Sequence, residues 1–286
     1  MKFTGILFAL SAAFFFGLSP TTTKLAYNFN TNTEFAVIMR YFFAIIVLAP
    51  FLFFIKFNFK LIIKHILGLI IISIGALCLT VGLLTSVTFI PVSLTALIFY
   101  TYPLFILSYN FFLKEKVNQI QIIGFITAFI GLILALGPSF NVLNISGILF
   151  AFLASFGATT LIITNEHLSK FFNALTINTF INLFCLLLIG IIIAFKFKIN
   201  HPNTMTGWYY LLFASFCYAI AFYMQLLAVK KIGSTFTALL LYFEPIVAII
   251  AAIVLLGESL TILQITGTIV VISSLFVTTY KNKKNI

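Results

Sequence analysis

Ten apolar runs, each about 20 residues long and separated by short polar gaps, dominate this chain of 286 residues. A run of that length crosses roughly 30 Å of hydrocarbon as an α-helix, and in a bilayer only helices and closed barrels satisfy every backbone polar group. The pattern predicts an all-α integral membrane protein with ten transmembrane helices, at residues 4–26, 35–55, 65–87, 91–112, 118–137, 145–165, 174–195, 206–229, 234–256 and 261–280. The connections are too short to hold a soluble domain. Composition agrees: only 7% of the residues are charged, where a soluble domain carries about a quarter.

The net charge of +11 raises the question of nucleic acid, but the basic residues sit in the gaps between apolar runs and read as topology signals. With a cytoplasmic N-terminus, the inside gaps hold Lys2, Lys56, Lys60, Lys64, Lys114, Lys116, Lys170, Lys230, Lys231, Lys281, Lys283 and Lys284, which is 12 of the 16 basic residues. Lys196 and Lys198 fall outside, with Lys24 and Arg40 near the outer ends of the first two helices. Both termini are therefore expected in the cytoplasm, and no nucleic acid is expected as a partner. Lys2, the apolar run after it and Ser11-Ala12-Ala13 resemble a signal peptide. A retained first helix is the preferred reading, because an equivalent segment recurs in mid-chain.

Chemistry-bearing residues are few. Asp is absent. Cys78, Cys185 and Cys217 lie inside apolar runs without paired spacing and read as small buried hydrophobes. His65, His167 and His201 stand at segment ends, with no metal-ligand spacing. Neither a metal nor a cofactor is expected, and with no clustered His and no nucleotide-binding loop the chain does not read as an enzyme.

The two halves repeat each other. "TALIFYTYP" (Thr95–Pro103) aligns with "TALLLYFEP" (Thr237–Pro245) at an offset of 142 residues, and "TGILFAL" (Thr4–Leu10) with "SGILFAF" (Ser146–Phe152) at the same offset. Past a one-residue insertion, "EKVNQIQIIG" (Glu115–Gly124) pairs with "ESLTILQITG" (Glu258–Gly267). Each unit, 1–138 and 139–286, holds five helices, an odd number, so the second enters the membrane inverted. Inverted repeats are a mark of secondary transporters.

This pattern resembles the drug/metabolite transporter superfamily, and within it the ten-helix bacterial EamA type. The resemblance spans the chain. It rests on the five-plus-five architecture, on "MRYFFA" (Met39–Ala44), and on two copies of a Pro–Glu–Gln–Gly pattern: Pro103, Glu115, Gln121 and Gly124, then Pro245, Glu258, Gln264 and Gly267. Two features depart from it. Phe14-Phe15-Phe16 precede Gly17 where relatives often carry a Trp, and Lys114-Glu115 replaces the Gly257-Glu258 of the second copy. The resemblance implies carriage of small metabolites across the bacterial cytoplasmic (inner) membrane, often export of amino acids or related compounds. It also implies a central cavity, with the fifth and tenth helices peripheral.

Among candidate substrate-binding residues, Glu244 stands first. It lies about ten residues into the ninth helix, roughly 15 Å deep at 1.5 Å per residue. A carboxylate at mid-bilayer faces a cavity or is protonated; it reads as a site for a proton or a substrate amine, or as a structural carboxyl bonded to a neighbouring helix. Arg40 is the only arginine, and its planar fork suits a carboxylate as lysine does not. A substrate or gating role for Arg40 stands beside anchoring at the outer surface, and Lys24 carries the same pair of readings.

Tyr100 and Tyr242 occupy matched positions one helical turn before Pro103 and Pro245, the expected helix breaks. Each phenol suits either a substrate or a backbone carbonyl released by the proline. Asn182, Gln225 and Tyr223 are lining candidates, with interhelical hydrogen bonding as the alternative.

Gly68, Gly75 and Gly82 on the third helix, and Gly124, Ala128, Gly131 and Ala135 on the fifth, form small-residue stripes that predict close packing. Trp208 and Tyr209, at a helix start, read as interface anchors, and Glu115 and Glu258 as solvated connections. The expected function is secondary transport of a small polar, amino-acid-like metabolite by alternating access, as a monomer or homodimer. Proton coupling is permitted by Glu244 but not required. A channel or a non-transporting scaffold is the alternative.

Overall fold

The computed structural model describes residues 2–52, 58–86, 89–90, 92–113, 119–137, 144–196, 199–256 and 261–284. Among them there is no strand. The helices are α1 (Lys2–Tyr27), α2 (Thr33–Leu52), α3 (Phe59–Lys64), α4 (Ile66–Ser86), α5 (Val92–Phe99), α6 (Tyr102–Phe112), α7 (Gln119–Leu136), α8 (Ile145–Leu168), α9 (Ala174–Lys196), α10 (Met205–Ile232), α11 (Ser234–Leu240), α12 (Glu244–Leu256) and α13 (Ile262–Lys284). Among the described residues ten stretches are long and apolar enough to cross a membrane, and they fall within a few residues of the expected spans. Lys56, Lys114, Glu115, Lys116, Lys198, Gly257 and Glu258 lie outside the described residues.

Eight spans are single helices. The fourth and ninth are composite: α5 and α6 meet at Tyr100-Thr101, and α11 and α12 meet at a 3-10 turn, Leu241–Phe243. Each proline of the repeated motif is the second residue of a new helix, Pro103 in α6 and Pro245 in α12. A first-turn N–H has no intrahelical partner, so its absence there costs nothing. The helix break expected at each proline is the start of a new helix.

Polar side chains set the other ends. Asn144 accepts from Gly147 N at the start of α8, and Thr204 accepts from Gly207 N at the start of α10. α10 turns directly into α11 through Gly233, whose φ of 80° favours a residue without a Cβ. Glu166, near the end of α8, accepts from Ser234 N at the start of α11 (3.1 Å), where the helix dipole favours an anion.

The bundle is built on pairings between the halves. α1 lies along α10, α4 along α8, and α7 along α13. In span numbers these are 1 on 8, 3 on 6 and 5 on 10, so the first two pairs are inverted twins of each other. The small-residue stripes explain the closeness. A Cβ built on Gly75 would sit 2.9 Å from the Gly157 carbonyl oxygen, and one on Gly157 would sit 2.6 Å from that of Gly75. The two backbones touch with no side chain between them, and Gly131 meets Gly267 in the same way across α7 and α13.

The outer surface is apolar, as lipid contact requires: Phe112, Val254 and Ile262 are all largely exposed. Some buried hydroxyls return to their own helices, as when Ser73 donates to Leu69 O (2.7 Å) and Ser215 to Leu211 O (2.8 Å). Others tie helices together, as when Ser86 donates to Gly147 O (2.8 Å).

Candidate functional site

The two broken spans meet at their breaks, where the Tyr100 and Tyr242 rings lie 6.3 Å apart. In a continuous helix Leu104 N would bond the Tyr100 carbonyl four residues back, but here it bonds Thr101 O instead (3.0 Å). The Tyr100 carbonyl is released, and Tyr242 Oη, from the other half, donates to it at 3.1 Å. The second break closes locally, with Glu244 N donating to Leu241 O. Tyr242 therefore serves the backbone of its own twin position.

Glu244 opens α12 and is hydrogen-bonded by the Tyr100 hydroxyl. It lines a cavity of about 80 Å³ formed by both halves, shared with Phe16, Ser19, Arg40, Tyr102, Tyr218 and Gln225 among others. Tyr102 is the residue 142 positions before Glu244, so the twin of the acid is a phenol on the same cavity. Gly17 of α1 lies against this break: a Cβ there would come within 2.6 Å of the Glu244 carbonyl oxygen. α1 can approach the acid only because residue 17 has no side chain.

Arg40 enters the same cavity from α2. Its Nη2 donates to Thr23 Oγ1 (3.1 Å), and its guanidinium carbon lies 5.7 Å from the centroid of the Tyr218 ring. Its Nε is buried without a hydrogen-bond partner. An arginine so held keeps one N–H uncommitted and sets a positive charge beside the cavity. Tyr218 packs edge-on against Tyr41, whose hydroxyl is bonded to Thr80 Oγ1 at 2.8 Å. The cation rests on a fixed aromatic wall.

Of the residues expected from sequence, Glu244, Arg40 and Gln225 come together on one cavity, with Tyr100 behind the acid. Tyr242 supports the break rather than the cavity wall. Lys24 is exposed and does not line the cavity. Asn182 is fully buried elsewhere, donating to Asn178 O (2.7 Å) and to Asn178 Oδ1 (2.6 Å) one turn back on α9. Tyr223 lines a different cavity, beside the start of α9. Sequence reasoning missed Tyr102, Tyr218 and Thr80. Two signals could have found the tyrosines: Tyr102 is the repeat twin of Glu244, and Tyr218 lies two turns before Gln225 on one face of α10.

The family model described as "EamA-like transporter family" matches residues 3–137 and again residues 145–280. The chain is 25% identical over 257 residues to an uncharacterized transporter, YetK, of Bacillus subtilis, covering 86% of this chain and 78% of that protein. It is 24% identical over 293 residues to an uncharacterized transporter of Clostridium kluyveri, covering 98% of this chain and 94% of the relative. A solved crystal structure, only 13% identical, superposes with a TM-score of 0.82 over 98% of this chain and 99% of its own, a likeness of fold alone.

Proposed function

The chain belongs to the EamA-like transporter family, and from that premise we propose that it carries a small zwitterionic, amino-acid-like metabolite by alternating access. The observation that carries the reading is the placing of Glu244 and Arg40 on one cavity between the two halves. An acid and a guanidinium with aromatic walls between them suit the ammonium and carboxylate of an amino acid. In this reading Glu244 binds the amine, or a proton when the site is empty, and Arg40 binds the carboxylate.

The size of the cavity supports a carrier. About 80 Å³ holds a few waters, whereas ligand pockets commonly reach roughly 300 Å³ or more. Admitting a substrate then requires the halves, 1–138 and 139–286, to move. The bundles exchange between states open to one side and then the other, and the broken spans bend as they do. The lysine distribution supports a cytoplasmic membrane location with both termini inside.

The test is counterflow of a labelled amino-acid mixture in proteoliposomes, comparing wild type with Glu244→Gln across a range of pH. Saturable flux in the wild type, reduced and made insensitive to pH in the variant, is the expected result. Unchanged flux and pH profile in the variant would remove Glu244 from the mechanism. Unitary currents would make the protein a channel, and no saturable flux for any metabolite would favour a scaffold.

A further inference from the structure

A second cavity, of about 450 Å³, lies between the start of α9 and the end of α10, lined by Asn173, Leu175, Tyr223, Leu227, Lys230 and Lys231 among others. It is not part of the central site. At about 100° per residue, Tyr218, Phe222 and Gln225 face the central cavity from one narrow sector of α10. Tyr223, Leu227, Lys230 and Lys231 cluster roughly 160° around the same helix. The two cavities lie on opposite sides of α10, so a substrate crossing the first does not pass through the second.

Its chemistry is divided by depth. At the top stand two exposed lysines in the last turn of α10. Lys230 Nζ donates one bond, to Phe172 O at 3.2 Å, which leaves further donors on its ammonium. Asn173 caps α9, its Oδ1 accepting from Thr176 N and Oγ1 at 2.7 Å each, so the positive end of that helix dipole adds to the field. Tyr223 lies seven residues before Lys230, roughly 10 Å down the helix, and Ala174, Leu175 and Leu227 supply the apolar lining. Lysines at a helix C-terminus answer its dipole without any ligand. A cavity with apolar lining beside them, on the far side of α10 from the central one, is what they do not explain.

We infer that this cavity holds an anionic phospholipid of the leaflet at the lysine-rich end of the bundle. Its phosphodiester would lie between Lys230 and Lys231, and the upper part of an acyl chain along Leu175, Leu227 and the Tyr223 ring. A free inorganic anion would match the lysines but not the apolar depth. A neutral lipid would match the depth but not the charge. Basic pockets between transmembrane helices are a recurrent setting for acidic headgroups.

Native mass spectrometry of the detergent-solubilised protein, given equimolar phosphatidylglycerol and phosphatidylcholine with identical acyl chains, tests this. The wild type should retain phosphatidylglycerol preferentially, and the Lys230→Gln/Lys231→Gln double variant should lose that preference by about thirtyfold, from the loss of two cations near the phosphate. Leu227→Trp, which fills the chamber and leaves both lysines and the Phe172 contact in place, should also lose retention. Lys60→Gln/Lys64→Gln, at the same end of the bundle, should retain it. Equal retention of both lipids by the wild type would overturn the inference. So would retention in Leu227→Trp, displacement of the lipid by millimolar inorganic phosphate, or an equal loss in the Lys60/Lys64 variant.

Discussion

Tyr242 donates its hydroxyl hydrogen to the backbone carbonyl of Tyr100, 142 residues earlier and at the matching position of the other repeat. The phenol from one broken span fills the gap in the hydrogen-bond ladder of its twin, while the Tyr100 phenol is committed to Glu244. The two tyrosines are equivalent in sequence and different in work.

Tyr242→Phe therefore leaves the Tyr100 carbonyl buried and unpaired. The expected loss is about 1 kcal/mol of stability, read as a lower thermal midpoint in detergent, with substrate affinity nearly unchanged. Tyr100→Phe should do the reverse, altering the pH profile of transport through Glu244 more than the midpoint.

Gly17→Ala places a methyl group 2.6 Å from the Glu244 carbonyl oxygen and 2.7 Å from Val247 Cβ. Backbone cannot yield as a side-chain tip can, so α1 must separate from α12, at a cost of about 1–3 kcal/mol. Transport should fall with stability. Gly190→Ala is the control: nothing lies within 4 Å of its Cβ, and a glycine-to-alanine change in an open helix gains about 0.5–1 kcal/mol. Thermal midpoints of the two variants should move in opposite directions.

Arg40→Lys keeps the charge but loses the fork that reaches Thr23 while stacking over Tyr218. The apparent affinity for a carboxylate substrate should weaken about tenfold, the scale of one charge-assisted hydrogen bond at roughly 1.5 kcal/mol. Lys24→Gln, at an exposed position, should leave the affinity within about twofold. Concentration dependence of initial uptake rates in proteoliposomes separates the two.

Gly157→Leu tests the seam between α4 and α8. Any Cβ at residue 157 would meet the Gly75 carbonyl oxygen at 2.6 Å and Leu79 N at 2.6 Å. A branched side chain should prevent assembly of the bundle, seen as aggregation on size-exclusion chromatography, whereas Gly137→Asn, at a positive φ with open space around it, should be tolerated.

The ten spans were legible because hydrocarbon imposes a length and a composition that no other solvent requires. The repeat was legible because Thr, Tyr and Pro stand out against Leu and Ile. Glu244 and Arg40 could be found as rare charges in apolar runs, but the side each would face depends on helix rotation, which apolar residues all round a helix do not encode. For the same reason Asn182 and Tyr223 looked like Gln225. Asn182 turns to its own helix and Tyr223 to the far side of α10. Tyr218 was hidden among eleven tyrosines, and only its two-turn spacing from Gln225 marks it.

Of the three close pairings between the halves, that of α7 on α13 has a property the other two lack. Exchanging the halves turns span 5 into span 10 and span 10 into span 5, so this contact is carried onto itself, while 1 on 8 becomes 6 on 3. Two mirror-related transport states can thus differ in the latter pair and be identical in the former. In the alternating-access cycle proposed above, the place where Gly131 meets Gly267 would therefore serve as an axle, a contact that need not change when the other two pairings exchange.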